Sequence, residues 1–476
     1  MNRPDTSRLR DFAASRFEGE ALPILERYVG IPCKSPLFDS AWRERGHIEE
    51  AISLVGDWCR ARAIEGLRVE RIQLEERTPV LWMEIPGDVD STVLLYGHLD
   101  KQPEMEGWAV DLGPWRPVRR GEKLYGRGAA DDGYAAFASL LAVESLSHLG
   151  VPRPRCVVLI EASEESGSVD LPAYVEHLAD RIGSPELVIC LDSGCGDYDH
   201  LWSTTSLRGM LTGSLEVEVL SEGVHSGDAG GVVPDSFRLL RTLLERVEEA
   251  DSGRLRLPEL ASEIPEERLR QADRAAQVLG EGMAGRFPFV AGARPEKLDP
   301  AELVLARSWG AALAVTGIEG APPLRDAGNV LRPRTRLKLS LRLPPTADPE
   351  AAARALRARL EDQPPHGARV AFQLEGAAAG WNAPPLAPWL AEALNRASQA
   401  HFGAPAVHMG EGGSIPFMGM LGARFPSAQF LITGVLGPGS NAHGPNEFLH
   451  VPTAIRLTAC VASVLADLAA RVRPTA

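Results

Sequence analysis

The sequence predicts an α/β fold, a doubly wound and mostly parallel sheet interrupted by an inserted α+β domain. Three observations carry this. Short apolar runs at 92–96, 156–160 and 187–191 each end in an acidic or imidazole side chain, with helical patterns between them. Buried strands joined by helices make a parallel sheet covered on both faces. In the middle of the chain Leu215, Val217 and Val219 alternate with Ser214, Glu216 and Glu218, and Leu337, Leu339, Leu341 and Leu343 alternate with Arg336, Lys338, Ser340 and Arg342. That period of two marks strands with one wet face. From about Trp389 the helical and short-strand pattern resumes. Residues 1–207 and 389–476 therefore read as two segments of one domain, with 208–388 inserted between them.

Taken in order, 8–28 and 47–63 have the apolar spacing of amphipathic helices, joined by a connection containing Ile31-Pro32-Cys33. Strands follow at 67–74, 79–85 and 92–96, and Gly97 lets the backbone turn as the last of them ends. A Pro/Gly/Trp loop at 103–117 leads to Asp131 and Asp132, at the entrance of a helix over 133–149. The strand at 156–160 runs into Glu164-Glu165-Ser166, and the strand at 187–191 into Asp192. Within the insertion, helical spacing covers 235–249, 265–280, 299–310 and 349–362, and 369–374 is a further strand. Beyond it come Glu411-Gly412-Gly413-Ser414-Ile415-Pro416, a Gly/Pro loop at 437–447 holding His443, and a final helix from Pro452.

Composition narrows the function. A chain of 476 residues exceeds one ordinary core, and 44% hydrophobic with 24% charged residues is globular composition. A net charge of -14 excludes nucleic acid and an anionic membrane as expected partners, since both want a basic surface. Clustered carboxylates suit divalent cations instead. The six cysteines are scattered without a CxxC pair, which favours buried structural thiols and a reduced, cytoplasmic setting. The amino terminus has no apolar signal core and no run approaches membrane-spanning length, so neither export nor insertion is expected.

His98, Asp131, Glu164, Glu165, Asp192 and His443 all fall at element ends on one edge of the expected sheet, where open α/β sheets place their ligands. Imidazole and carboxylate together suit zinc, with manganese or cobalt as alternatives. Two histidines and three acids exceed one tetrahedral site and match two ions ~3.5–4 Å apart, bridged by a carboxylate and a water made acidic by both. The adjacent Glu164 and Glu165 can divide the work of base and ligand. Asp100, two residues beyond His98, is placed to accept a hydrogen bond from one ring nitrogen and free the other for a metal. Against this stands the plain reading of a solvated acidic turn and a loop histidine, which several coincident strand ends outweigh.

These residues lie in motifs running in order through nearly the whole chain: Gly97-His98-Leu99-Asp100, Gly126-Arg127-Gly128 through Asp131-Asp132, Glu164-Glu165-Ser166-Gly167-Ser168, Leu191-Asp192, Val224-His225-Ser226-Gly227, Glu411-Gly412-Gly413-Ser414-Ile415-Pro416 and Asn441-Ala442-His443-Gly444-Pro445-Asn446-Glu447. The set resembles the co-catalytic metallopeptidases and amidohydrolases that include carnosinases and other cytosolic non-specific dipeptidases, succinyl-diaminopimelate desuccinylase, acetylornithine deacetylase and aminoacylase, and is most similar to the dipeptidase branch. The resemblance implies that His98 and Asp192 hold one metal, Glu165 and His443 the other, and that Asp131 bridges them. It implies that Asp100 orients His98, that Glu164 is general base and then acid, and that the insertion is a lid through which a homodimer forms. His225 would then reach the partner subunit's site to stabilise the oxyanion, Arg342 would clamp a substrate carboxylate, and Asn329 and Ser414 would contact substrate. Asp132-Gly133-Tyr134 departs from the usual Asp-Lys-Gly of the branch, leaving Asp131 in place but putting the packing of the helix entrance and the choice of substrate in question. The expected activity is hydrolysis of the peptide bond of a dipeptide or similarly small peptide by metal-activated water. An N-acyl-amino-acid deacylase is the alternative with the same chemistry, and a metal-binding or regulatory protein without catalysis is the alternative of another class. Glu164 beside Glu165 speaks against the last, because a binder needs ligands but no base.

Overall fold

In the computed structural model, which describes residues 5–472, six strands form the central sheet in the order Arg68–Ile72, Val80–Ile85, Pro154–Glu161, Val89–His98, Leu187–Cys190 and Gln429–Ile432. The last four run parallel, and the first two pair antiparallel at one edge. Both faces are covered, as continuous apolar strands require. Val93 and Leu95 point into a core shared with helices Thr6–Arg16, His47–Arg60, Ala135–Leu149 and Val451–Arg471, whereas Leu94 and Tyr96 point into one shared with helices Leu171–His177 and Pro416–Arg424. The doubly wound architecture and its insertion are borne out.

Two expectations are corrected. The strand does not turn at Gly97 but continues to His98. Glycine is needed there for close approach, because a Cβ would lie 2.6 Å from the Ala135 Cβ and 2.7 Å from Asp132 Oδ2. The final helix, Val451–Arg471, has 21 residues and is long and apolar enough to cross a membrane, contrary to the expectation that no run approaches that length. Its apolar surface is spent on the core: most residues from Val451 to Ala469 are buried, packed against helices Thr6–Arg16, Ala135–Leu149 and Pro388–His401, while Pro452, Arg456 and Asp467 are only partly covered.

The insertion holds an antiparallel sheet in the order Ala312–Glu319, Arg334–Leu343, Gly209–Glu218, Arg369–Ala378. Its alternation works as the sequence demands. Leu337, Leu339, Leu341 and Leu343 are buried with Leu211, Leu215 and Val217 beneath helices Ser236–Leu244 and Pro349–Glu361, while Arg336, Lys338 and Arg342 stay on the other face. Helices Glu266–Leu279 and Pro300–Ser308, from the same stretch of chain, do not join this sheet. They place Ala272, Ala275, Ala276 and Val304 against Val407 and Met409 of a separate sheet formed by Trp381–Asn382, Trp202–Leu207 and Val407–Glu411. That packing brings the end of one inserted helix beside the cleft at the carboxyl edge of the main sheet.

Candidate active site

His98 ends its strand fully buried. Its Nδ1 lies 3.0 Å from the main-chain oxygen of Asp100 and 3.5 Å from the Asp100 carboxylate. Donation from Nδ1 to a carbonyl fixes the tautomer and leaves a lone pair on Nε2. That Nε2 is buried and has no hydrogen-bond partner, 3.4 Å from Asp131 Oδ1 and 3.8 Å from Asp192 Oδ2. A basic nitrogen left unpaired among carboxylates is what a cation site looks like before its charge is counted.

Asp131 stands between the two imidazoles. Its Oδ1 faces His98, and its Oδ2 lies 3.0 Å from His443 Nε2, which is in turn 3.4 Å from Glu165 Oε2. Two groups of donors result, His98 with Glu164 and Asp192, and Asp131 with Glu165 and His443, each with ligand atoms within 4.8 Å of one another. The donor chemistry fits two divalent ions. Although burial opposes it, the two histidines hold the Asp131 carboxyl well below the usual carboxylate range. Burial and the charge of Asp131 push Glu165 up to about 8, burial pushes Asp192 up to about 6, and burial with the charge of Asp192 raises Glu164. Acids crowded in this way are relieved by a cation.

The backbone around these groups is held by named contacts. The Asp100 carboxylate accepts from Glu164 N at 3.1 Å and from Glu165 N at 3.0 Å, so it sets the acidic turn more directly than it sets His98. Gln102 Nε2 donates to Glu165 Oε2 at 2.7 Å. Asp131 and Asp132, joined by a cis peptide, lie in the turn Ala129–Gly133, and Asp132 Oδ2 accepts from His98 N at 3.3 Å. The unusual Gly133-Tyr134 is explained by packing. A Cβ at Gly133 would meet the Tyr28 ring at 2.2 Å, and the buried Tyr134 hydroxyl donates to Leu191 O at 2.5 Å, beside Asp192. His443 has φ +65 and its loop is tied down by a fully buried pair, Arg127 with Glu447 at 2.6 Å. Arg127 also donates to the carbonyls of His443 at 3.1 Å and Gly444 at 2.8 Å.

A cleft of about 990 Å³ opens over these acids. Arg342 and Ser414 also line it, with Arg342 Nη1 3.3 Å from Ser414 Oγ. His225 and Asn329 do not line it. Both are exposed, on a two-stranded antiparallel ribbon in which Val224–His225 pairs with the sequence-distant Val330–Leu331 and Ser226 N donates to Asn329 O at 2.9 Å. His225 Nδ1 accepts from Gly227 N at 3.1 Å, which puts the ring proton on Nε2. Gln102, Arg286 and Arg307, which lie outside the sequence motifs, also line the cleft, as does Glu411, which opens the Glu411-Gly412-Gly413-Ser414-Ile415-Pro416 motif. Gln102 follows Asp100 in the same turn and could have been suspected; the two arginines have no local signal. All six cysteines are free and buried, in keeping with structural thiols.

The model of Peptidase family M20/M25/M40 matches residues 94–467. A cysteinylglycine-S-conjugate dipeptidase of Corynebacterium striatum is 26% identical over 411 residues, covering 83% of this chain and 87% of that protein. A Beta-Ala-His dipeptidase of Homo sapiens is 31% identical over 301 residues, covering 60% of this chain and 56% of that protein. In structure, the dipeptidase Dug1p of Saccharomyces cerevisiae superposes with a TM-score of 0.78 at 20% identity, over 98% of this chain and 99% of that one. The resemblance to the dipeptidase branch is thus borne out. Matched from the strand that delivers His98 to the helix that closes the fold, the chain belongs to peptidase family M20/M25/M40.

Proposed function

We propose that the protein hydrolyses the peptide bond of dipeptides or similarly small peptides, using two divalent ions, zinc first and manganese or cobalt as alternatives. The observation that carries this is the position of Asp131, one oxygen turned to each histidine between two groups of carboxylates. Dipeptidase relatives over most of the chain support the substrate class. His98 and Asp192 would hold one ion, Glu165 and His443 the other, with Asp131 shared. When bound, the ions would acidify a water and polarise the scissile carbonyl. Glu164 takes the water's proton and returns it to the departing amine. Asp100 holds the Glu164-Glu165 turn so that base and ligand face different ways. Arg342 clamps the substrate carboxylate, for which a guanidinium fork is suited, and Ser414 fixes its reach.

The lid reading extends to a homodimer formed through the stretch 208–388. His225 and Asn329 sit away from their own cleft, and the Nε2 proton of His225 is free to meet an oxyanion across an interface. The open edge strand Ala312–Glu319 carries Val315 and Ile318, half exposed beside the half-exposed Phe237, which suits burial against a second copy. The buried free cysteines suit a cytoplasmic setting. The test is hydrolysis of a panel of dipeptides and N-acyl amino acids by chelated protein, before and after adding zinc, manganese or cobalt. Metal-dependent cleavage of dipeptides is expected. Cleavage by protein shown by elemental analysis to be metal-free, or cleavage of N-acyl amino acids alone, would overturn the reading.

A further inference from the structure

The cleft holds charges of both signs. Its lining carries the acids Asp131, Glu164, Glu165 and Asp192 and also three arginines, Arg286, Arg307 and Arg342, with a further carboxylate, Glu411, that pairs with Arg307 and whose charge reaches Arg286. Arg307 Nη2 pairs with Glu411, but Arg307 Nη1 is buried and has no partner. Arg342 has one long bond to the Ser414 hydroxyl. No hydrogen bond or ion pair holds the Arg286 guanidinium among the described residues. A fourth arginine, Arg208, lies close by, its Nη1 donating to the carbonyl of Gly310 at 3.0 Å and its Nε to that of Gly412 at 3.2 Å. Burial, then the charges of Arg342 and Arg307, bring Arg208 down to about 10, and burial followed by the charge of Arg307 lowers Arg286. Such crowding of like charges is costly unless anions arrive to share it.

One substrate carboxylate does not balance these arginines. Glu411 offsets one guanidinium and an α-carboxylate on Arg342 a second, which leaves a further guanidinium facing the cleft. We propose that Arg286 and Arg307 form a second anion subsite, which takes the side-chain carboxylate of an acidic residue on the carboxyl side of the scissile bond. The substrates favoured would end in aspartate or glutamate, with two carboxylates on the arginines and the scissile carbonyl toward the acids. Arg307 is braced by Glu411, and the Arg286 fork, 6.0 Å from the Phe287 ring centroid, has its hydrogen-bond donors free of side-chain and main-chain acceptors among the described residues. Phe287 and Pro288, beside Arg286 in the lining, give the methylene part of such a side chain an apolar wall. The inference rests on the peptidase reading of the site.

The experiment titrates L-glutamate and its neutral isostere L-glutamine into zinc-loaded protein by calorimetry, for the wild type, Arg286→Gln and Arg286→Lys. Glutamate is expected to bind roughly 10-fold tighter than glutamine to the wild type, as a charge-assisted contact predicts. Arg286→Gln should erase the difference, and Arg286→Lys, which keeps the charge but not the fork, should keep part of it. Equal binding of the two by the wild type, or an undiminished preference in well-folded Arg286→Gln, would overturn the subsite. Hydrolysis of Ala-Glu and Ala-Gln separates this from the peptidase reading. No cleavage of any dipeptide sinks that reading, whereas cleavage of both without preference for Ala-Glu sinks the subsite alone.

Discussion

His98 meets Asp100 through the main chain: the ring Nδ1 is 3.0 Å from the Asp100 carbonyl oxygen and 3.5 Å from its carboxylate, which is engaged by the amides of Glu164 and Glu165. One residue thus holds an imidazole with its backbone and the acidic turn with its side chain. Asp100→Asn keeps the carbonyl and one amide acceptor, while its NH2 would face a second amide donor. We expect metal affinity or turnover to fall by roughly 10–100-fold, the usual cost of losing a group that orients a ligand. Zinc titration with a competing chelator measures it. Unchanged affinity and turnover would mean that the two amides do not depend on the carboxylate.

The division of labour proposed for Glu164 and Glu165 predicts opposite losses. Glu164→Gln removes only basicity, so turnover should drop by roughly 10²–10⁴-fold with both ions retained. Glu165→Gln, which also replaces the acceptor of the 2.7 Å bond from Gln102, should lower occupancy of one ion. Metal analysis beside kinetics decides, and the reverse pattern would exchange the two roles.

If His225 serves the partner's site, activity should return when subunits carrying Glu164→Ala are exchanged with subunits carrying His225→Ala. Each homodimer is nearly inactive, but half of the randomly formed pairs contain one complete site, giving roughly a quarter of wild-type turnover. With exchange verified by mass spectrometry, recovery near zero would assign His225 to its own subunit.

Breaking the Arg127–Glu447 pair should unfold more than it inactivates. Both side chains are buried, and Glu447 also accepts from Gly128 N at 2.9 Å. Glu447→Gln leaves a buried guanidinium without its counter-charge, at a cost of about 3–5 kcal/mol. Urea unfolding reads the loss. A change below about 1 kcal/mol would show that the pair is not what secures the His443 loop.

Two histidines away from the cleft predict a pH dependence of stability. Burial, followed by the charge of Arg10 for His401 and of Arg268 for His408, brings each down to about 4 from an ordinary 6.5. Between these values the unfolded chain takes up protons that the folded chain refuses, so stability falls as pH drops from 6.5 toward 4 and is complete above 6.5. His401 is almost wholly buried, and its share is at most about 3 kcal/mol. The urea midpoint should slope less with pH in His401→Gln than in the wild type over this window; an equal slope would refute the assignment.

Much of this protein is legible where a pattern is local. The runs at 92–96, 156–160 and 187–191 carry their own burial signal and become three neighbouring strands, so the edge bearing His98, Glu164 and Asp192 follows from the sequence. The leucines of Arg334–Leu343 announce their buried face in the same way. What stays hidden depends on contacts between distant residues. Helices Glu266–Leu279 and Pro300–Ser308 look like lid helices by position, and only their alanine faces meeting Val407 and Met409 place them elsewhere. Arg307 reaches the cleft because of that packing, and no spacing in the chain foretells it. Gly97 reads as a turn because the space a Cβ would need is taken by Asp132 and Ala135, residues of another element.

The late position of His443 has a meaning for synthesis on the ribosome. The nascent chain has already exposed His98, Asp131, Glu164, Glu165 and Asp192 by the time the insertion begins, yet the second imidazole and the Glu447 that secures it emerge some 250 residues after Asp192. Strand Gln429–Ile432 then adds to Leu187–Cys190, and Phe448–His450 pairs with Lys123–Tyr125. A translation product cut short before this stretch keeps most of the acids but neither the partner of Arg127 nor the closing helix of the core. By the proposed ligand set, a chain stopped before this stretch would lack the second imidazole of the site.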